Sequence, residues 1–335
     1  MKAGRVRSSR GLRYLLKGIL PESDVYLVKP NWYSPMRGGY TDAAALETLL
    51  SALPGRAIVV EGYSGDRQDG SVVYNVHGEK VDWQWLLKNP DLGWVLEDGN
   101  LEIMRSWDKW YRDSLGLTDV MERHGCEYLS VTEEIMAGRV EDLQLVKKRV
   151  EGRYPAVQYS KLYGYMPSKL AVYAGTPLIS FGHLKGAGST YPSLTIKNLF
   201  GLIPDPWRSW WHGRGDARLS RSIIDIAKVY SSYFSLFGVC EAFSCYTVTD
   251  PLGEVKLSWE AYRVEDGDGF VACGASLTDL DSVVCSLIGV DPSSVGYFKE
   301  AKDVFGGYDE YAVSEASACS RQWFPGVKLP LGTIA

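Results

Sequence analysis

VYLVKPNWYSPMRGGYTDAAALETLLSALPGRAIVVEG, from Val25 to Gly62, is the stretch whose reading decides the fold. Val25 to Val28 is a short apolar run of strand type, stopped at Lys29-Pro30-Asn31 because proline cannot donate to a ladder. After a glycine-rich turn, Thr41 or Asp42 can cap a helix carrying Leu46, Leu49, Leu50 and Leu53 at helical spacing. Pro54-Gly55 ends that helix, and Ala57 to Val60 forms a second buried strand with Glu61 at its tip. Strand, helix, strand in this order predicts a parallel pair joined by a right-handed crossover.

Outward from this unit the same alternation continues. Leu12, Leu15, Leu16 and Ile19 recur at helical spacing and predict a docking helix. Residues 62–100, with Trp83 and Trp85, read as an insertion. Ile103 to His124 reads as helix and Cys126 to Val131 as strand. Leu143 to Tyr154 alternates apolar and basic residues and reads as an exposed strand or hairpin edge. Pro177 to Phe181 is a strand, Ser222 to Phe237 a strong helix, and Phe237 to Phe243 a buried strand near Glu241. Asp266-Gly267-Asp268-Gly269 signals a hairpin between Tyr262–Val264 and Phe270–Ala272. Asp281 is placed to open a helix, and Val295 to Phe305 forms another. The expected class is α/β, with mostly parallel sheets flanked by helices and two lobes with a crevice between them. Turn composition near Glu151 to Pro155 puts the boundary between an N-terminal lobe, 1–154, and a C-terminal lobe, 155–335.

The chain has 335 residues, 45% apolar and 23% charged, with a net charge of -5. Those are the values of an ordinary globule. The negative balance argues against a nucleic-acid partner, which needs a broad basic face. No apolar run reaches the ~20 residues that span a bilayer, so no membrane partner is expected. The six cysteines, at positions 126, 240, 245, 273, 285 and 319, form no CxxC pair. That speaks against an iron–sulfur cluster and for buried thiols in a reducing cytoplasm. Cys240 and Cys245, with Cys273, leave open a cysteine-ligated metal.

Chemistry concentrates between Leu178 and Arg214, LISFGHLKGAGSTYPSLTIKNLFGLIPDPWRSWWHGR. His183 follows a strand and precedes glycines, which suits proton transfer or metal ligation. Lys197 lies in an otherwise apolar run, where desolvation would make it a base, a Schiff-base former or a cofactor tether. His212 stands among tryptophans, with Arg208 and Arg214 beside it as bidentate donors for an anion. Lys29, Asn31 and Glu61 at strand ends could converge with Asn198 on the same crevice. Glu241 and Asp281 are weaker candidates, the latter as a helix cap. The loop Gly186 to Thr190 could cradle phosphate, although it has neither a Walker ending nor a GxGxxG pattern.

Several landmarks together resemble the domain of unknown function 362 family. They are KPNW at Lys29–Trp32, VVEG at Val59–Gly62, GHLK at Gly182–Lys185, IKNLFGLIPD at Ile196–Asp205 with His212 after it, and the block Cys273–Gly289 continuing into VGYFKEAKDVFGG. The resemblance implies an α/β fold and a site at His183, Lys197 and His212, while the family has no settled activity. Proteins of the family are often labelled iron–sulfur-centre proteins. Phe181 stands where that family usually has a lysine. The order His183, Lys197, His212 is also similar to a run in the nickel-pincer lactate racemases, where the lysine tethers a cofactor.

The resulting expectation is a cytoplasmic enzyme acting on a small anionic metabolite by isomerase, racemase or lyase chemistry. Lys197, His183 and His212 would move protons or hold a cofactor, with a metal ion at His183 and His212 left open. Lys29, Asn31, Glu61, Asn198, Arg208 and Arg214 would bind the ligand. The alternative is a non-catalytic binding or accessory protein in redox or metal-cofactor metabolism.

Overall fold

In the computed structural model, residues 1–67, 73–74, 79–81, 100–186, 192–205, 208–250, 252–253, 255–256 and 261–324 are described. The strands are β1 (Lys2–Arg5), β2 (Val25–Pro30), β3 (Arg56–Glu61), β4 (Val73–Tyr74), β5 (Lys80–Val81), β6 (Glu127–Ser130), β7 (Pro177–His183), β8 (Lys185–Gly186), β9 (Ser235–Ala242), β10 (Cys245–Thr249), β11 (Val255–Lys256), β12 (Ala261–Asp266) and β13 (Phe270–Gly274). Seven of them form one sheet in the order β1-β13-β9-β7-β2-β3-β6. The neighbours from β9 to β6 are parallel, and β13 and β1 add an antiparallel edge. The protein is therefore α/β with a mainly parallel sheet. This sheet takes β1, β2, β3 and β6 from residues 1–154 and β7, β9 and β13 from residues 155–335. A second sheet has the order β11-β12-β10-β8.

Alternation along the strands sends successive side chains to opposite faces, and each face has its own core. Leu27, Ile58, Leu178 and Cys240 pack on one side with Ile223, Val284 and Phe298 from helices Leu219–Tyr233, Leu277–Leu287 and Gly296–Phe305. Val28, Val59, Ile179 and Cys273 pack on the other with Leu12, Leu46 and Val120 from helices Ser9–Leu16, Ala43–Ala52 and Leu117–Arg123. At 0% exposure each, Leu27, Val28, Ile58 and Val59 leave little solvent on either face. Burying one such side chain is worth roughly 1.5–3 kcal/mol. Among the described residues no helix is long and apolar enough to cross a membrane.

The β-α-β unit forms as its sequence predicts: Asp42 caps the helix by accepting from the Ala45 N–H at 2.8 Å, and β2 and β3 pair in parallel. Ile103 to His124 divides at Gly116 (φ 69°) into helices Asn100–Ser114 and Leu117–Arg123. Other expectations are corrected. Leu143–Glu151 is a helix and not a strand edge: Asp142 caps it, and Val146 and Val150, four apart, are its buried face. The hairpin across Asp266–Gly269 does not form, because β12 pairs with β10 and β11 whereas β13 pairs with β1 and β9. The turn instead passes the chain from one sheet to the other. Helix Leu277–Leu287 is opened by Ser276, which accepts from the Asp279 N–H, so Asp281 lies inside it. Trp83, Trp85, Gly188 and Tyr191 lie outside the described residues.

Candidate functional site

Sheet order sets the site. From β2 the chain winds outward through β3 to β6, then returns to place β7 on the other flank of β2. The strand order thus reverses between β2 and β7, and ligands of open α/β sheets bind beyond the carboxyl ends of strands at such a point. Lys29 and Pro30 end β2, Glu61 ends β3, and His183 ends β7.

Lys29 and Glu61 are 1% exposed and form a buried ion pair, Nζ to Oε1 2.8 Å. Burial pushes the Lys29 amine down to about 8, although the Glu61 carboxylate holds its charge. The ammonium also donates to Pro30 O at 2.8 Å and Asn198 Oδ1 at 3.3 Å. Asn31 Nδ2 donates to that same Oδ1 at 3.1 Å, while Asn198 Nδ2 donates to Lys29 O at 2.8 Å and Ser180 Oγ at 3.1 Å. Asn198 therefore stitches β2 to β7 from the helix Thr195–Asn198. Asp281 does the capping from across the core, accepting from Thr195 N at 3.0 Å and Ile196 N at 2.7 Å. Gly201 is required by this packing, since a Cβ there would stand 2.8 Å from Lys29 Nζ and 3.0 Å from Glu61 Oε1.

Arg208 is buried and spreads its guanidinium over backbone carbonyls, Nε to Ile203 O at 3.1 Å and Nη2 to Tyr63 O at 3.1 Å. Its Nη1 lies 3.7 Å from Asp205. Lys197 is half-buried on the helix Thr195–Asn198. Its charge bears on Lys185, the residue two beyond His183. Burial pushes the Lys185 amine down to about 7, and Lys197 and Lys29 press it further down by like-charge repulsion. The Lys185 ammonium stands over the Tyr33 ring, 5.1 Å from its centroid. Asp66, bonded to Tyr33, is driven up to about 7 by burial, with the Asp205 carboxylate adding to the rise. Among the described residues, one oxygen each of Asp66 and Asp205 is buried without a hydrogen-bond partner.

His183 lies within β7 and not in the loop after it. Its Nδ1 hydrogen-bonds Glu241 Oε1 at 2.6 Å across the β7–β9 register. Burial opposes the ring's charge, but Glu241 and the Cys245 thiol outweigh it and raise the imidazole to about 9. His212 pairs locally with Asp216, Nδ1 to Oδ1 2.7 Å, and packs edge-on against Phe200. Arg214 is exposed on the following turn.

Lys29, Asn31, Glu61 and Asn198 are thus in direct contact, and Arg208 and Lys197 flank them. His183 adjoins through Lys185, whereas the contacts of His212 run elsewhere. Lys185, Asp66, Tyr33 and Asp205 had no role in the sequence reading. Only Lys185, at alternate spacing from His183 in GHLK, carried a local signal. Among the described residues no group of three or more His, Cys, Asp or Glu side chains is placed to hold a metal ion. The trio Cys240, Cys245 and Cys273 is not one, since Cys240 and Cys273 belong to the cores on opposite faces of the sheet. These side chains do not fit an iron–sulfur cluster.

Neither the curated proteins nor the solved structures hold a match to this chain. A family model does match, over residues 95–250, that of the Domain of unknown function (DUF362). The matched stretch contains GHLK, IKNLFGLIPD and His212, while Lys29–Trp32, Val59–Gly62 and Cys273–Gly289 lie outside it. On that match rests the resemblance of this α/β chain to the DUF362 family, a family without an assigned function.

Proposed function

We propose that the chain is an enzyme that binds a small anionic metabolite beyond the ends of β2, β3 and β7 and works on it by acid–base chemistry. The observation that carries this reading is the gathering of Lys29, Lys185 and the half-buried Lys197 in one region, where burial and the other two amines all press the Lys185 amine down. Like charges held out of water are costly, and an anion between them offsets the repulsion. Lys29 is already matched by Glu61. We assign the ligand to Lys185, which both other amines repel, with Lys197 beside it.

Lys185, titrating about 7, can accept a proton at neutral pH, as can the Asp66 carboxylate. His183, raised to about 9, takes up a proton readily and can hand it on to the ligand. A matched base and acid around a bound anion suit proton abstraction next to a carboxylate or carbonyl, as in isomerase, racemase or lyase reactions. Arg208, spent on carbonyl oxygens, supports the wall of the site. His212 and Arg214 are left as surface groups, outside this proton path.

Calorimetric unfolding in inorganic phosphate, acetate and chloride at equal ionic strength tests the reading. The expected result is a saturable rise in Tm with phosphate or acetate that disappears in Lys185→Met and in Lys197→Met. Identical curves in all three salts would sink it.

A further inference from the structure

Cys245 and His183 lie on neighbouring strands. β10 runs parallel to β8 with Thr247 opposite Lys185, so two residues back along both chains Cys245 comes alongside His183. Glu241 fixes the ring from its other side: Oε1 takes Nδ1 at 2.6 Å, and Oε2 accepts the Phe243 N–H at 2.9 Å. With Nδ1 engaged, Nε2 is the nitrogen left over. It is buried, on a residue 2% exposed, and among the described residues it makes no hydrogen bond of ordinary geometry. Among the described residues the Cys245 thiol also interacts with this ring.

We propose that Cys245 is a nucleophilic thiol, with His183 as its proton acceptor and Glu241 as the positioning residue, acting on the carbonyl carbon of a small anionic substrate. The anionic part of the substrate rests on the reading above; the nucleophile does not. Base within reach of the nucleophile, and a carboxylate orienting the base, is the arrangement that activates thiols and hydroxyls on unrelated folds. Other cysteines lack it. Burial pushes the thiols of Cys240 and Cys285 well up and that of Cys273 to about 11, with no imidazole beside them.

The step balances without an oxidant. The thiol proton passes to His183 Nε2, the sulfur forms a bond to the carbonyl carbon, and the C=O π pair moves to oxygen. That oxygen then takes the proton from His183, giving a hemithioacetal. Lys185, in line with His183 along the chain and two residues on, stands where a carboxylate or phosphate of the same substrate would bind. Tyr40, Asp42 and Asp266 are the further titratable groups around Cys245. Asp42 is engaged with the Ala45 N–H and the Ser244 hydroxyl, and burial keeps the Tyr40 phenol protonated.

Peptide-resolved alkylation of the full chain with iodoacetamide is the test. There the S–C bond replaces C–I, iodide leaves, and the thiol proton departs through His183. At neutral pH Cys245 is expected to react on the order of ten-fold faster than the half-buried Cys126 and Cys319. His183→Asn should lower the Cys245 rate by on the order of ten-fold and leave Cys126 and Cys319 unchanged. Glu241→Gln should give a smaller fall and move the pH profile. A Cys245 no faster than those two, or indifferent to His183→Asn, overturns the proposal. Should His183→Asn lose its near-UV circular dichroism, the unsubstituted chain decides: a rate that levels off by neutral pH supports the pair, and one that climbs steadily into alkali overturns it. Iodoacetate separates the two readings. A preference for it over iodoacetamide, beyond that of a free thiol and lost in Lys185→Met, supports the shared anion site. No preference rejects the anion and leaves the thiol standing.

Discussion

His183 and His212 each bond a carboxylate through Nδ1 at nearly the same distance, 2.6 Å to Glu241 and 2.7 Å to Asp216. The surroundings differ. The first pair joins neighbouring strands across 58 positions and its side chains are 3% and 2% exposed; the second joins residues four apart across the turn that follows the helix Arg208–His212 and is 31% and 34% exposed. Water competes for the second pair and screens it, so it constrains little. The first pair is held by two strands and shielded, so Glu241 sets both the orientation and the charge of the ring. Equal distances thus conceal two different pairs, and burial and the origin of the partner set them apart.

Breaking a pair of the buried kind should cost most where the remaining charge has nowhere to go. Lys29→Met strands Glu61 at the end of β3, and a loss of about 3–5 kcal/mol is expected in urea unfolding. A loss under about 1 kcal/mol would mean that Arg67, 3.7 Å from Glu61, takes over as its counterion.

Glu241→Gln sharpens the contrast through pH. The folded-state pKa of His183 is raised, so its contribution is full below about 6.5 and is lost as pH rises through about 9. The variant should be less stable by about 2 kcal/mol near pH 6, and its deficit should shrink towards pH 9. A deficit that is constant across this window argues that Glu241 acts only through packing.

Lys185→Met should have the opposite sign. Its amine is lowered to about 7, so the fold pays for its charge increasingly as pH falls from the ordinary lysine range towards 7. The variant is expected to be more stable than the parent by on the order of 1–2 kcal/mol below neutrality, while losing the response to phosphate or acetate. Equal stability of variant and parent at pH 6 would count against desolvation of the amine. The smallest effect belongs to the surface pair: Asp216→Asn should change stability by less than about 0.5 kcal/mol.

The order of elements was legible because it is local. The spacing of Leu46, Leu49 and Leu50, the Asp42 cap and the apolar run at Ala57–Val60 need no distant partner to be read. Leu143–Glu151 was misread because LQLVKKRV supports both a period of two and the Val146–Val150 helical pair, and only the core beneath Val146 and Val150 selects the helix. The Asp266–Gly269 turn was misread because a turn signal says where the chain bends, not which strands it will join. Lys29, Glu61 and His183 were readable as groups at strand ends. Lys185 and Asp66 were not, because their importance comes from desolvation and from charges brought in by other segments.

The chain's own periodicity and turn residues determined that this is an α/β protein and which side chains lie at the tips of its strands. Tertiary packing decided that β2 stands beside β7, that His183 meets Glu241 and Cys245 while His212 meets Asp216 and Phe200, and that three lysines crowd one region. The reason is physical. Secondary structure follows from interactions a few residues apart, whereas sheet order and burial are settled by segments more than a hundred positions apart competing for the same core.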